Sequence, residues 1–272
     1  LIAGLIAGYG KLPLIAYKKL KERFEKVVVI SLSEEVTVDF NTISDKVYQL
    51  SVGQVGKIIK TLKKEGVSKI LFAGKVNKTL LYKDLKLDLT AIKLLLTLKN
   101  RNDDTIMLKI VEELAKNGME VLKQSDILKD LFVSEMLISK KKPSAAIMED
   151  VYFGYKVAKV LGSVDVGQTV VVKNKAVMAV EAIEGTDATI ERGCRLAKEG
   201  AVVVKVAKPN QDERFDIPTV GIDTLKKILD NKGVCLAIEA GTTIVVDMDE
   251  IKKFCEDNKL VMISFKGDSH ES

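Results

Sequence analysis

The sequence predicts an α/β protein of two domains, on three observations. Short apolar runs alternate with longer stretches whose apolar positions recur every three to four residues, the pattern of strands followed by amphipathic helices. The 272 residues suffice for two ordinary domains. A charged, proline-bearing stretch at 139–144, SKKKPS, reads as a linker that divides the chain almost equally. The expected domains are therefore 1–136 and 137–267, with a polar tail at 268–272.

Residues 1–7 read as a buried strand, closed by Gly8, Tyr9 and Gly10, with Pro13 in the first turn of a helix to about residue 24. A strand, a glycine turn and a helix N-terminus together offer backbone N–H groups to a phosphate, so Gly8 and Gly10 are candidate ligand contacts. The glycines do not spell G-x-G-x-x-G, and no acidic residue closes the second strand at 27–30, which argues against a dinucleotide site. A helix at 53–65 sets Val55, Ile58, Ile59 and Leu62 on one face, with Gln54 at its entry able to touch ligand. The strand at 69–73 ends in Gly74 and Lys75, where a lysine can meet an anion. Asp103 and Asp104 open a further helix as carboxylates favoured by its dipole, and a strand at 120–122 completes a Rossmann-like parallel sheet.

In the second half, a helix around 151–161 precedes two apolar strands, 169–173 and 176–180, joined as a hairpin at Asn174. The segment VEAIEGTDATIER (180–192) then crowds Glu181, Glu184 and Asp187 into one turn before a helix to about residue 199. Thr186 or Asp187 is a natural N-cap there. Carboxylates gathered at a strand end suit a hard cation such as Mg²⁺. A buried strand at 201–206 leads into Lys205, Lys208, Gln211, Asp212, Arg214 and Asp216, closed by Pro218 and Gly221. Both charge signs directly after a buried strand mark where α/β proteins keep ligand chemistry; a solvated, salt-bridged connection is the plain alternative. Helices at 224–231 and 248–258 and strands at 234–238, 243–246 and 260–264 complete a mixed-sheet domain. A ligand cleft is expected between the two domains.

Composition narrows the chemistry. With one histidine, His270 in the tail, Ser-His-Asp and Cys-His catalysis and histidine-rich zinc sites are excluded. Cys194, Cys235 and Cys255 are far apart, odd in number and read as reduced, packed thiols of a cytoplasmic protein. A net charge of +5 with 5% aromatics does not describe a nucleic-acid binder, but suits anionic ligands or docking beside anionic lipid. Neither a membrane-spanning run nor a signal peptide is expected. Acid–base or metal chemistry must then rest on Glu181, Glu184, Asp187, Asp212 and Asp216, with Lys205, Lys208, Arg214 and Arg192 as clamps for phosphate charge. These are the parts phosphoryl-transfer hydrolysis needs.

Four segments, GLIAGYGKLP (4–13), GQVGKIIKTLKKEGV (53–67), VVVKNKAVMAVEAIEGTDATIER (170–192) and VKVAKPNQDERFDIPTVG (204–221), resemble the LpxI-type UDP-2,3-diacylglucosamine pyrophosphatases. The resemblance runs in order along nearly the whole chain. It implies a Mg²⁺-dependent enzyme of lipid A biosynthesis that hydrolyses UDP-2,3-diacylglucosamine to UMP and 2,3-diacylglucosamine 1-phosphate (lipid X), water attacking the β-phosphorus. The family's essential aspartate aligns with Asp216, with Asp212 as the second choice; metal ligand and water-orienting base both stay open as its role. Asp216, Asp187 and Glu184 are the expected metal ligands. Gly8, Gly10, Gln54, Gly74, Lys75, Gly185, Thr186, Lys205, Lys208, Gln211 and Arg214 are the expected substrate contacts. The acyl chains need an apolar lining, for which residues 85–98 and 151–160 are candidates. The resemblance also implies a cytoplasmic enzyme, peripheral to the inner membrane, with a homodimer as one option. A nucleotide-sugar sensor without turnover and, further off, a Rossmann-type oxidoreductase are the alternatives.

Overall fold

The computed structural model describes residues 1–32, 38–44, 46–76, 87–98 and 103–267. His270, part of the leucine-rich 85–98 stretch and the side chain of Asp103 lie outside the described residues. Contacts divide the chain into one unit of Leu1–Lys129 with Asp212–Asp216, and a second of Asp130–Gln211 with Ile217–Ser272.

In the first unit, β1 (Ile2–Ala7), β2 (Lys26–Leu32), β3 (Val47–Leu50), β4 (Lys69–Ala73) and β5 (Glu120–Val121) form a parallel sheet in the order β3-β2-β1-β4-β5. Its central strands are apolar almost throughout because helices cover both faces. Those helices are α1 (Leu12–Arg23), α2 (Val55–Lys64), α3 (Leu89–Leu96), α4 (Asp103–Lys116) and the short α5 (Gln124–Ile127). The apolar stripe of α2 packs as its spacing requires, with Val55, Ile58, Ile59 and Leu62 all buried. Strand order reverses between β1 and β4, the switch point at whose carboxyl ends α/β sheets place their ligand crevice. β3 had no sequence signal, since VYQL is short and carries one buried residue.

The second unit has a mixed six-stranded sheet. Its strands are β6 (Met136–Leu137), β7 (Thr169–Lys173), β8 (Ala176–Val180), β9 (Ala201–Lys205), β11 (Gly233–Glu239) and β13 (Val261–Phe265), in the order β6-β13-β11-β9-β7-β8. β9, β11 and β13 run parallel, while β6, β7 and β8 pair antiparallel. A separate pair joins β10 (Thr219–Val220) to β12 (Ile244–Val245). α6 (Ala145–Ser163) covers one face of the sheet; α7 (Thr186–Ala197), α8 (Ile222–Asp230) and α9 (Met248–Asp257) pack on the other. The SKKKPS stretch lies inside this unit, where buried Ser139 accepts the Met262 N–H at 3.0 Å. All three cysteines are free and buried, and burial pushes the Cys194 and Cys255 thiols up to about 11.

The hairpin β7–β8 sets a register that matters for chemistry. Val172 pairs with Val177 and Lys173 with Ala176, but Val171 pairs with Ala179, so Met178 is an extra residue. Without that slip Val180 would oppose Thr169, and Glu181 would turn to the α6 face. At the closed end, Asn174 and Lys175 both adopt positive φ, as a two-residue turn of this hand requires. Buried Asp150 on α6 clamps that turn, accepting the Asn174 N–H at 2.9 Å and the Lys175 N–H at 2.6 Å. Asp150→Ala should cost about 1–3 kcal/mol, read from denaturant unfolding, because it strands the two amides of the turn.

In the first unit Glu65 closes α2, accepting from Tyr48 Oη at 2.6 Å and Lys26 Nζ at 2.9 Å. The Tyr48 hydrogen bond, then Lys26, lowers its carboxyl from 4.5 to about 2. A depressed carboxyl contributes stability above its unfolded value that is lost as pH falls through the folded one. The melting-temperature gap between the wild type and Tyr48→Phe should therefore be widest above pH 4.5 and narrow toward pH 2.

Candidate active site

Two polar assemblies carry the expected site residues, one in each unit. In the second unit it forms where β9 ends and α7 begins. Thr169 on β7 is opposite Lys205 on β9, and Glu181 donates its backbone N–H to the Thr169 carbonyl at 2.8 Å. Residues paired in this way share a face of the sheet. That face is the one α7 covers, since Val171 and Val203 lie in its core cluster. Lys205 Nζ donates to Thr186 Oγ1 at 2.9 Å, and Thr186 Oγ1 donates to Glu181 Oε1 at 2.9 Å. Lys205, Thr186 and Glu181 are at most 9% exposed. A buried ammonium and carboxylate joined through one hydroxyl form a fixed chain, because each would otherwise pay a large desolvation cost. Thr169 Oγ1, also buried, has no hydrogen-bond partner among the described residues.

Thr186 is not the cap of α7. Gly185 is, with φ +82, and the helix start has no side-chain cap. The Thr186 hydroxyl is taken by Glu181 and Lys205 instead. Glu184 turns back along α7, bound by Arg192 Nη2 at 2.5 Å and by Thr189 Oγ1 at 3.3 Å. Burial would raise its carboxyl, but its own backbone N–H and Arg192 hold it below the usual range. Asp187 is exposed. Beyond Lys205 the loop carries Lys208, whose ammonium lies 2.5 Å from Asp165 Oδ1, and Gln211, whose Oε1 accepts the Lys208 N–H at 2.9 Å.

The other assembly belongs to the first unit. The turn Asp212–Asp216 is built there: Phe215 packs on its core, and the Glu213 carbonyl accepts the Gln124 N–H at 2.7 Å. Gln124 is 4% exposed, and its side-chain amide donates to the Phe72 carbonyl of β4 at 2.8 Å. The Glu213 carboxylate takes Lys123 Nζ at 2.9 Å and Ser125 Oγ at 3.1 Å, which lowers it, the Lys123 bond first. The turn bearing Asp216 is thus fastened at the carboxyl end of β4. Within it Asp212 forks onto Arg214, with contacts of 2.9 Å to Nε and 2.6 Å to Nη2. Burial would raise the Asp212 carboxyl, but these bonds hold it low. Arg214 offers the same edge to Asp212 that it would offer a phosphate.

At the crevice beside β1 and β4, Tyr9 and Lys75 exchange backbone hydrogen bonds of 2.8 and 3.0 Å. A Cβ on Gly8 would lie 2.3 Å from the Lys75 carbonyl oxygen, and Gly74, at φ +92, is crowded by Gly8 and Tyr9 backbone atoms. These two glycines are required first for the crossing of two loops. Gly10, at φ +100, meets no neighbour within 4 Å and needs glycine for its backbone alone. Gln54 follows β3, two strands from β1 and so about 10 Å away, and its Oε1 accepts the Ser51 N–H at 3.1 Å. Among the described residues no group of three or more His, Cys, Asp or Glu gathers as a metal would require.

Gln124, Glu181's bond to Thr186 and the pair Lys159–Glu239 had no motif to mark them. Burial of Gln124 is visible only in the structure, because glutamine is mostly a surface residue. Gln124→Met, which keeps the shape and removes the amide, should cost about 1–3 kcal/mol and speed hydrogen exchange across 212–216.

Two family models match the chain: the LpxI N-terminal domain over residues 3–131 and the LpxI C-terminal domain over 134–263. The chain is also 29% identical over 273 residues to the UDP-2,3-diacylglucosamine pyrophosphatase LpxI of Caulobacter vibrioides, covering 96% of each protein. With both domains matched in order around the two assemblies above, the chain belongs to the LpxI family.

Proposed function

We propose that this protein hydrolyses the diphosphate of UDP-2,3-diacylglucosamine, releasing UMP and 2,3-diacylglucosamine 1-phosphate in lipid A biosynthesis. Support comes from its family and from the relative's name. The observation that carries the reading is the turn Asp212–Asp216, fastened at the carboxyl edge of a parallel sheet, where α/β proteins bind ligands. Water attacks the β-phosphorus, its new bond forming as the bond to the UMP oxygen breaks. Asp216 serves that water in one of two roles, as the base that orients it or as a ligand of the metal ion. Lys205 and Lys208 are the proposed contacts for phosphate charge that the second unit carries. The β1 and α1 turn supplies backbone N–H groups to the nucleotide phosphate.

Mg²⁺ belongs to this proposal as an ion bound by the diphosphate and by one or two carboxylates, of which Asp216 is the first choice. It would neutralise phosphate charge. The structure fits that arrangement better than a resident cluster, because Glu184 is committed to Arg192 and Asp212 to Arg214. The substrate's acyl chains put the reaction at the cytoplasmic face of the inner membrane, and no helix among the described residues is long and apolar enough to cross it.

Asp216→Ala should lower UMP release from UDP-2,3-diacylglucosamine about 10²–10⁴-fold while leaving the melting temperature near wild type. Wild-type release in that variant would remove Asp216 from the reaction. In ¹⁸O-water the label should enter the sugar 1-phosphate; label in UMP would move the attack to the α-phosphorus.

A further inference from the structure

The loop after β9 is gripped through both backbone groups of a single residue, Ala207. Ala207 donates its N–H to Glu239 Oε2 at 2.8 Å, and its carbonyl accepts from Lys159 Nζ at 2.9 Å. Lys159 Nζ also donates to both Glu239 oxygens, at 2.9 and 3.1 Å. Glu239 is the last residue of β11 and Lys159 lies in the second half of α6, so two separate elements close on one residue. Lys208, the next residue, is held by the same end of α6, its ammonium on Asp165 Oδ1 at 2.5 Å. Gly162 backs it closely: a Cβ there would sit 3.3 Å from Lys208 Cα.

An ion pair that only ties α6 to β11 needs opposite charges and nothing more. Here the polarity also matches the backbone of Ala207: the acceptor meets its N–H, in the peptide with Val206, and the donor meets its C=O, in the peptide with Lys208. An ion pair between α6 and β11 sets no direction for the loop, whereas hydrogen bonds to the N–H and C=O of one loop residue do. We propose that Lys159 and Glu239 are positioning residues that lock the backbone on both sides of Ala207 and thereby aim Lys208 at the phosphate charge of the substrate. This rests on the hydrolase reading above, with Lys208 as a phosphate contact.

The test is a double-mutant cycle on UMP release, using Lys159→Met, Lys208→Met and the two together. Lys159→Met should lower kcat/KM about ten- to a hundredfold, the scale of a misplaced contact. Added to Lys208→Met it should lower activity no further, because a residue that acts through Lys208 has nothing left to aim. Hydrogen exchange at 206–209 should quicken in Lys159→Met. Glu239→Gln keeps an acceptor for Ala207 but turns an amide N–H toward Lys159, and should shift kcat/KM the same way if Lys159→Met does not fold. Wild-type kcat/KM in either folded variant overturns the proposal, as does an effect of Lys159→Met that multiplies in full onto Lys208→Met. A wild-type protein that releases no UMP counts against the hydrolase reading instead. In that case unchanged exchange at 206–209 in Lys159→Met overturns the grip itself.

Discussion

Gln124 makes two hydrogen bonds on which the placement of the turn Asp212–Asp216 depends. Its side chain holds the Phe72 carbonyl at the end of β4, and its backbone N–H holds the Glu213 carbonyl. One buried residue therefore ties a sheet laid down by residues 1–121 to a turn that arrives about ninety residues later, a separation at which loop closure is costly. Phe215 in the core and Glu213 on Lys123 and Ser125 offset that cost. Asp212, Arg214 and Asp216 stand on this footing and could not be read as members of the first unit from their place in the chain.

The second unit solves a different problem, which is how to keep a lysine and a glutamate inside a core. Thr186 does so by accepting from Lys205 and donating to Glu181. The arrangement exists because Met178 is an extra residue in the hairpin, which turns Glu181 to the face of α7. Charge, register and helix entry thus agree at one place, and a change in any of them leaves a buried charge with too little compensation.

Much of the architecture was legible locally. The apolar alternation located most strands, and the α2 stripe at 55, 58, 59 and 62 packs as its periodicity demands. The loops Gly8–Gly10 and Gly74–Lys75 were both visible as strand ends, but their mutual crossing was not, because nothing in either segment encodes its partner. Glu184 and Thr186 looked like a ligand and a cap by residue type. The structure spends them on Arg192 and on the Lys205–Glu181 chain. Lys159 and Glu239 carried no local signal, since a helix lysine and a strand-end glutamate are ordinary surface residues until they meet.

The sequence by itself determined the α/β class, pointed away from histidine catalysis, and marked the stretch from Lys205 to Gly221 for its dense charge of both signs. Those follow from residue type and spacing, which are local quantities. Only the tertiary structure decided that this stretch divides, with Lys205, Lys208 and Gln211 built into one unit and Asp212–Asp216 into the other. The reason is physical: periodicity says which side of an element is buried, but which distant carbonyl a buried amide will find is settled only when the core closes around both.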